Sequence, residues 1–413
     1  MVAVFTALAV GLKVPMGLAI ALAALAGALA GGQGLALRHL VEGAFGFFDV
    51  ILIIATAMIF MGVLQESGLL DSLTSAILRT FYRSRVALLL TAMLLLMFPG
   101  MITGSSLAAV LSTGPLIAPV LMKLGLSRLR TAAFVAMGAI LGMIAPPVNI
   151  LVMIMGAGVD MPYAGLAGPL LLVTVPAAVV IALGLGLGRI RLVGEAEMRS
   201  ILPDAAAPRR GLVLTLPILL VLVLMVLQNL DVPFFPTLGL PAIFVLGSLA
   251  GMVCGRRFNV PRAVHAAVAQ AVPILSILAG VGMFIQIMTL TGGRGWLVTG
   301  FLSMPAALLY AAVALGLPLF GGVSAYGSAS VLGVPFLLAL AGQNAVIIAS
   351  ALSAIIGIGD LVPPASMAAR FSAQVVGEPN LFKVLRQCVW PALVLLGAGL
   401  GMLLGAPVLA KVL

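Results

Sequence analysis

The sequence predicts an all-α polytopic membrane protein of two inverted repeats, each with a re-entrant helical hairpin and a broken transmembrane helix. Three observations carry that prediction. The 413 residues are 63% hydrophobic and 8% charged, with a mean hydropathy of +1.31. A soluble core cannot hide that much apolar surface, so the solvent is lipid, and the apolar runs read as spans of about 20 residues or halves of spans. Several of these runs are interrupted by glycine, serine or paired proline, in an order that occurs twice. Basic residues, finally, crowd one set of loops.

Taken in order, the chain opens with MVAVFTALAVGLKVP. No basic region precedes its apolar run and no A-x-A-like site leads into a soluble domain, so it is expected to belong to the mature protein and not to a cleaved signal. Apolar segments lie at 1–13, 16–31, 48–66, 86–122, 131–159, 163–188, 212–228, 240–254, 271–290, 304–341, 345–376 and 389–411. The runs 86–122 and 304–341 are too long for one span and carry PGMITGSS and FGGVSAYGSAS at their middles. Each splits into halves of about 15 residues, or about 22 Å of helix, short of the hydrocarbon thickness. Each therefore reads as a re-entrant hairpin. The runs 131–159 and 345–376 contain Pro146-Pro147 and Pro363-Pro364. Proline removes a backbone donor and pushes its predecessor out of the helical region, so a doubled proline opens a gap in the helix.

The interruptions keep step. Gly68 precedes Ser105 by 37 residues and Gly292 precedes Ser328 by 36, while Ser105 to Pro146 is 41 and Ser328 to Pro363 is 35. The longer loop KLGLSRLR after the first hairpin accounts for the difference. The chain divides into N-terminal scaffold helices (1–39), a first repeat (40–188; hairpin 86–122, broken helix 131–159), a cytoplasmic linker with connecting helices (189–261), and a second repeat (262–411; hairpin 304–341, broken helix 345–376). If each hairpin returns to its own side and other segments cross once, 17 of the 21 Lys and Arg residues share one face. By the positive-inside rule that face is cytoplasmic. The first hairpin then enters from the cytoplasm and the second from outside, which inverts the repeats.

Non-helical backbone survives at membrane depth only where protein buries it or where it lines a watery cavity, so paired breaks at mid-membrane point to a binding site. Carbonyl and hydroxyl oxygens at such breaks suit a hard cation. The expected cation ligands are Ser105, Ser106, Ala145 and Pro146 in one group and Gly327, Ser328, Gly359 and Asp360 in the other. Candidates for the transported molecule are Thr103, Ser105, Asn149, Ser324, Ser328, Ser366 and Arg370, with Pro146, Pro147, Pro363 and Pro364 making the breaks. Asn149 is placed either to ligate or to cap the half-helix beyond it. Asp360 is an intramembrane carboxylate, functional by default because burying charge is costly, or else a local cap. Arg370 either binds a carboxylate or snorkels to the interface. Gly104 and Ser112, taken alone, suit close helix packing. Asp49 is expected at the interface, and His39 and His265 have no metal-ligand company.

Other classes of function fit less well. The formal charge of +10 lies in short loops and aromatic residues make up 6% of the chain, which argues against nucleic acid. Cys254 and Cys388 form no C-x-x-C motif, so neither disulfide nor metal chemistry is expected. An intramembrane protease needs a histidine or a second aspartate within the spans, so the chain is not expected to be an enzyme. A passive channel would account for the hairpins but not for a broken span after each one.

The stretch GMITGSSLAAVLSTGPLIAPVLMKLGLSRLRTAAFVAMGAILGMIAPPVNILVMIMGAGVDMPYAGLAGPLLL (100–172), with VGLKVPMGLAIALAAL and MIFMGVLQESGLLDSL before it, resembles the large membrane subunit of tripartite ATP-independent periplasmic (TRAP) transporters. The resemblance implies an elevator-type secondary transporter in a bacterial inner membrane, importing a small organic acid such as a dicarboxylate by symport with sodium. It also implies a periplasmic substrate-binding protein and a small membrane subunit as partners, sodium as the coupling metal and no organic cofactor. The second half departs from the family's T-P-P-V-G pattern at Asp360, Ala365, Ser366 and Arg370. The alternative within the same superfamily is an organic anion carrier, sodium- or proton-coupled, that needs no binding protein.

Overall fold

The computed structural model describes residues 1–195, 197–198, 215–229, 238–340 and 342–411. Much of the expected linker within 189–261, including Arg199, Arg209 and Arg210, lies outside the described residues. All regular elements among the described residues are helical. Six helices are long and apolar enough to cross a membrane: Phe48–Glu66, Arg85–Thr103, Ser106–Lys123, Ala167–Gly186, Val260–Leu290 and Leu381–Leu404. Shorter apolar helices include Met16–Ala30, Leu216–Gln228, Gly239–Cys254, Ala306–Gly321, Ala325–Ala339 and Ala345–Leu361. The chain is a multi-pass membrane protein.

The helices pack as two groups. In the first, Val260–Leu290 lies against Met16–Ala30, Leu37–Phe45 and Phe48–Glu66, and Gly239–Cys254 covers the last of these. Glycine makes these approaches possible. A β-carbon on Gly17 would fall 2.5 Å from the Ser276 carbonyl carbon, and one on Gly43 would fall 2.6 Å from the Gly282 oxygen. Small residues at helix contacts are how apolar helices associate in a solvent as apolar as they are. Val260–Leu290 starts eleven residues before the apolar run at 271, because the Asn259 side chain accepts from Arg262 N and caps it there. Its 31 residues span about 46 Å, more than the hydrocarbon core requires.

The second group holds the hairpins and the broken helices. The arms of the first hairpin, 19 and 18 residues long, exceed the expected halves. The helix runs on through Pro99 and Gly100, since Gly100 has no side chain to collide with Gly142. The turn falls at Gly104, φ +63°, the left-handed conformation that glycine adopts without strain. The second hairpin pairs Ala306–Gly321 with Ala325–Ala339. Each broken helix has a gap at its doubled proline, and both Pro-Pro bonds are cis. The first runs Arg128–Ile144, then Ile150–Ala157, and the second runs Ala345–Leu361, then Met367–Val376. Each gap gives one backbone N–H to the neighbouring hairpin tip: Val148 N to Met101 O at 3.1 Å and Ala365 N to Gly322 O at 2.9 Å. Tip and gap therefore sit at one depth in each case.

The two halves exchange partners. Met367–Val376 packs on the first hairpin and on Arg128–Ile144, while Ile150–Ala157 packs on Ala325–Ala339. Ala167–Gly186 joins this second group by packing on Arg128–Ile144, Arg85–Thr103 and Leu381–Leu404. Each hairpin is preceded by a short helix, Leu69–Phe81 before the first and Gly293–Leu302 before the second. Asp49 is exposed in the first turn of its helix, as an interfacial residue would be.

Candidate functional site

A cavity of about 290 Å3 lies where the two groups meet. Met58, Gln270, Ile274 and Ile277 form its wall on one side, and Ser105, Ser106, Leu111, Ser324, Tyr326 and Asp360 on the other. Local structure places each polar group. Ser105 is the N-cap of Ser106–Lys123, its Oγ accepting from Ala108 N at 3.3 Å. Ser324 caps the helix after it in the same way, accepting from Gly327 N at 3.1 Å. Asp360 stands in the last turn before the second gap, where Gly359 and Gly321 let the two backbones touch.

The central contact joins the two halves: Ser106 Oγ donates to Asp360 Oδ2. Tyr326 Oη donates to the Gly104 carbonyl at 3.2 Å, tying tip to tip. Asp360 is buried, and no Lys, Arg or His among the described residues forms an ion pair with it. It meets the first turn of Ser106–Lys123, where unpaired backbone N–H groups favour an anion. A carboxylate with free oxygen valence, flanked by hydroxyls and paired with no basic side chain among the described residues, is chemically suited to a cation. No cluster of three or more His, Cys, Asp or Glu occurs among the described residues.

A smaller cavity of about 130 Å3 adjoins the first, sharing Met58, Ala108, Leu111 and Gln270. It ends at Gln65 and Glu66, and the Glu66 carbonyl accepts from Arg256 Nε at 2.9 Å.

Of the residues singled out from sequence, the structure gathers Ser105, Ser106, Ser324 and Asp360 around the main cavity. It draws Ser106 from one expected cation group and Asp360 from the other. The rest lie away from it. Thr103 is spent within its helix, donating to Pro99 O at 2.7 Å. Asn149 uses its whole amide: Oδ1 accepts from Val152 N at 3.1 Å, and Nδ2 donates to Ile144 O at 2.8 Å and Ser353 Oγ at 3.1 Å. It is a cap. Ala145 and Pro146 are not among the residues that line the main cavity, and Pro147 O accepts from Tyr163 Oη at 2.9 Å. Ser328 donates to Leu317 O at 2.8 Å, and Ser366, at φ +43°, donates to Leu361 O at 3.3 Å. Gly327 and Gly359 act through their backbones, next to Ser324 and Asp360. Arg370 is exposed and turns back on the gap, donating to Pro364 O at 3.0 Å.

Two lining residues escaped the sequence. Tyr326 stands inside the quoted tip FGGVSAYGSAS, where an aromatic ring among small residues is the signal. Gln270 is a lone amide at the edge of an apolar run and carries no comparable signal.

Residues 2–187 match the Na+/H+ antiporter family. No curated protein matches the sequence. The fold is similar to that of the Alcanivorax borkumensis YdaH transporter, with a TM-score of 0.65 at 18% identity, over 94% of this chain and 96% of that one. The match over 2–187 contains the stretch 100–172 that resembles the TRAP large subunit, and it overturns that assignment. Glycine-serine tips and doubled prolines mark the kind of architecture, and so do not separate one family of ion-coupled carriers from another. The binding protein, the small membrane subunit and the organic-acid symport rested on the TRAP resemblance alone.

Proposed function

We propose that this chain is a secondary transporter, not an enzyme, that exchanges a cytoplasmic cargo for sodium or protons and works without a delivering protein. The single observation behind the proposal is Asp360, a buried carboxylate at a helix gap, held by Ser106 from the opposite half at the rim of a cavity. A cation bound there bridges both halves, so occupancy governs how they sit together. The match of residues 2–187 to the Na+/H+ antiporter family supports sodium or protons as the coupling ion.

The partner exchange between the halves, with each gap level with its tip, supports units at 40–188 and 262–411 related as inverted repeats. The division into two packed groups supports motion of the hairpins and broken helices against Met16–Ala30, Phe48–Glu66 and Val260–Leu290, as in an elevator. The smaller cavity, which shares lining residues with the site and reaches Glu66 beside Arg256, supports access from the face that carries the basic loops. The cell membrane of a bacterium is the setting that the positive-inside pattern fits.

The test is ion exchange in proteoliposomes carrying an internal pH dye and an imposed sodium gradient. Sodium-dependent proton movement, or proton- or sodium-driven cargo flux, is expected. Downhill flux that never couples to either ion would replace the carrier with a channel.

A further inference from the structure

The chemistry of the cavity wall names a class of cargo. A dehydrated sodium ion needs a close cage of oxygen ligands, and Asp360 with Ser106 begins one. The rest of the space is of another kind. Met16, Met58, Leu111, Ile274 and Ile277 give it an apolar wall, and the Tyr326 ring stands beside the carboxylate. At about 290 Å3 the cavity falls at the small end of the range for organic ligands, roughly 300 Å3 and above. No Lys, Arg or His lines it, and Arg370, expected to receive a carboxylate, bonds to Pro364 O instead. An anion brought here would meet Asp360 with no positive side chain to offset it, at a cost that rises in a desolvated site.

From this wall we propose that the cargo is a small amphipathic organic cation, an ammonium group on an apolar body, whose charge binds at Asp360 and whose body fills the apolar cavity. The inference rests on the exchange reading above and gives it a mechanism. The carboxylate and the aromatic face of Tyr326 supply the two groups that recognise an ammonium. Because the ammonium and the coupling ion claim the same carboxylate, only one binds at a time, and exclusive occupancy is what makes an exchanger exchange. The smaller cavity, which shares Gln270 and Leu111 with this one and reaches Glu66, is the entry route this cargo would use.

The test uses three probes with one benzyl body: benzyltrimethylammonium, benzyl alcohol and phenylmethanesulfonate, titrated into the purified full chain in detergent. The cation is expected to bind at least tenfold more tightly than the sulfonate, to be displaced by sodium or by acid, and to lose at least tenfold in affinity in Asp360→Asn. Leu111→Trp, which fills the wall without touching the carboxylate, is expected to weaken the ammonium more than tenfold, and serves if Asp360→Asn fails to fold. Tighter binding of the sulfonate, or ammonium binding that ignores both substitutions, overturns the proposal. Radioactive sodium exchange, measured in parallel, separates the two readings. Asp360-dependent exchange without ammonium binding sinks the cargo class and leaves the exchanger, whereas loss of both sinks the two together.

Discussion

The two helix gaps look alike in sequence and differ in chemistry. The first, at 145–149, is closed on itself: Asn149 spends its amide on Val152, Ile144 and Ser353, and Tyr163 Oη accepts from Asn149 N and donates to Pro147 O, each at 2.9 Å. The second, at 362–366, follows a buried carboxylate that faces a cavity and is held only by a serine from the other half. The chain has two gaps at doubled prolines, and the side chains around each set its chemistry. The first is a joint whose Asn149 amide and Tyr163 hydroxyl are both bonded, which stabilises the fold. The other kept a polar group in reserve, which is where a ligand gains most.

The sharpest way to break this contrast is at Asp360. Asp360→Asn keeps the size and removes the charge, and a cation in a desolvated site loses about 3 kcal/mol or more with its only charged partner, on the order of 100-fold in affinity. Coupled flux in vesicles is expected to fall by that much while the protein still folds. Coupling that survives would move the site elsewhere and remove the distinction between the gaps.

Ser106→Ala should act in the same direction with a smaller amplitude. One hydrogen bond to a charged group is worth about 1.5 kcal/mol, so the apparent sodium or proton affinity should weaken by roughly tenfold. Ser105→Ala, which removes a cap and leaves the carboxylate its partner, gives the comparison. Equal losses in both would mean that the tip acts only as a turn.

At the first gap the expected effect falls on stability. Asn149→Leu leaves the Ser353 hydroxyl and the Ile144 carbonyl without their donor and uncaps Ile150–Ala157, at a cost of about 2 kcal/mol. Thermal unfolding of the detergent-purified protein should fall by several degrees, and cation affinity should stay unchanged. A marked loss of affinity would return Asn149 to the ligands.

The architecture was legible because lipid leaves the backbone few options. Wherever glycine-serine or doubled proline interrupts an apolar run, the freed N–H and C=O groups must find partners, and Val148 and Ala365 do so at the neighbouring tips. Asp360 was legible for a similar reason, as a lone acid in a run of apolar residues. Which oxygens share a ligand was not. The sequence groups Ser105 and Ser106 with the nearer gap at Ala145, whereas folding exchanges partners and carries Ser106 to Asp360, 254 positions away. The lengths of the helices escaped too, because the first arm runs on through Pro99 and Gly100 to Thr103. Family identity escaped because tips and gaps of this kind serve several kinds of carrier.

The smallest expected effect belongs to Arg370, and it separates an anion carrier from the exchanger proposed above. A guanidinium that binds a substrate carboxylate must reach the cavity with its fork free. Here Nη2 of Arg370 donates to Pro364 O across six residues, and the side chain is exposed. The bond replaces one that water supplies nearly as well, so its loss costs well under about 1 kcal/mol. Arg370→Gln keeps a donor of shorter reach and removes the charge. Flux, sodium dependence and discrimination between cationic and anionic probes should all stay within about twofold of the unaltered protein, since surface substitutions of this kind usually cost less than 0.5 kcal/mol. A tenfold drop in flux confined to anionic cargo would place the guanidinium in the transport path, and the second gap would then serve a carboxylate as the sequence first suggested.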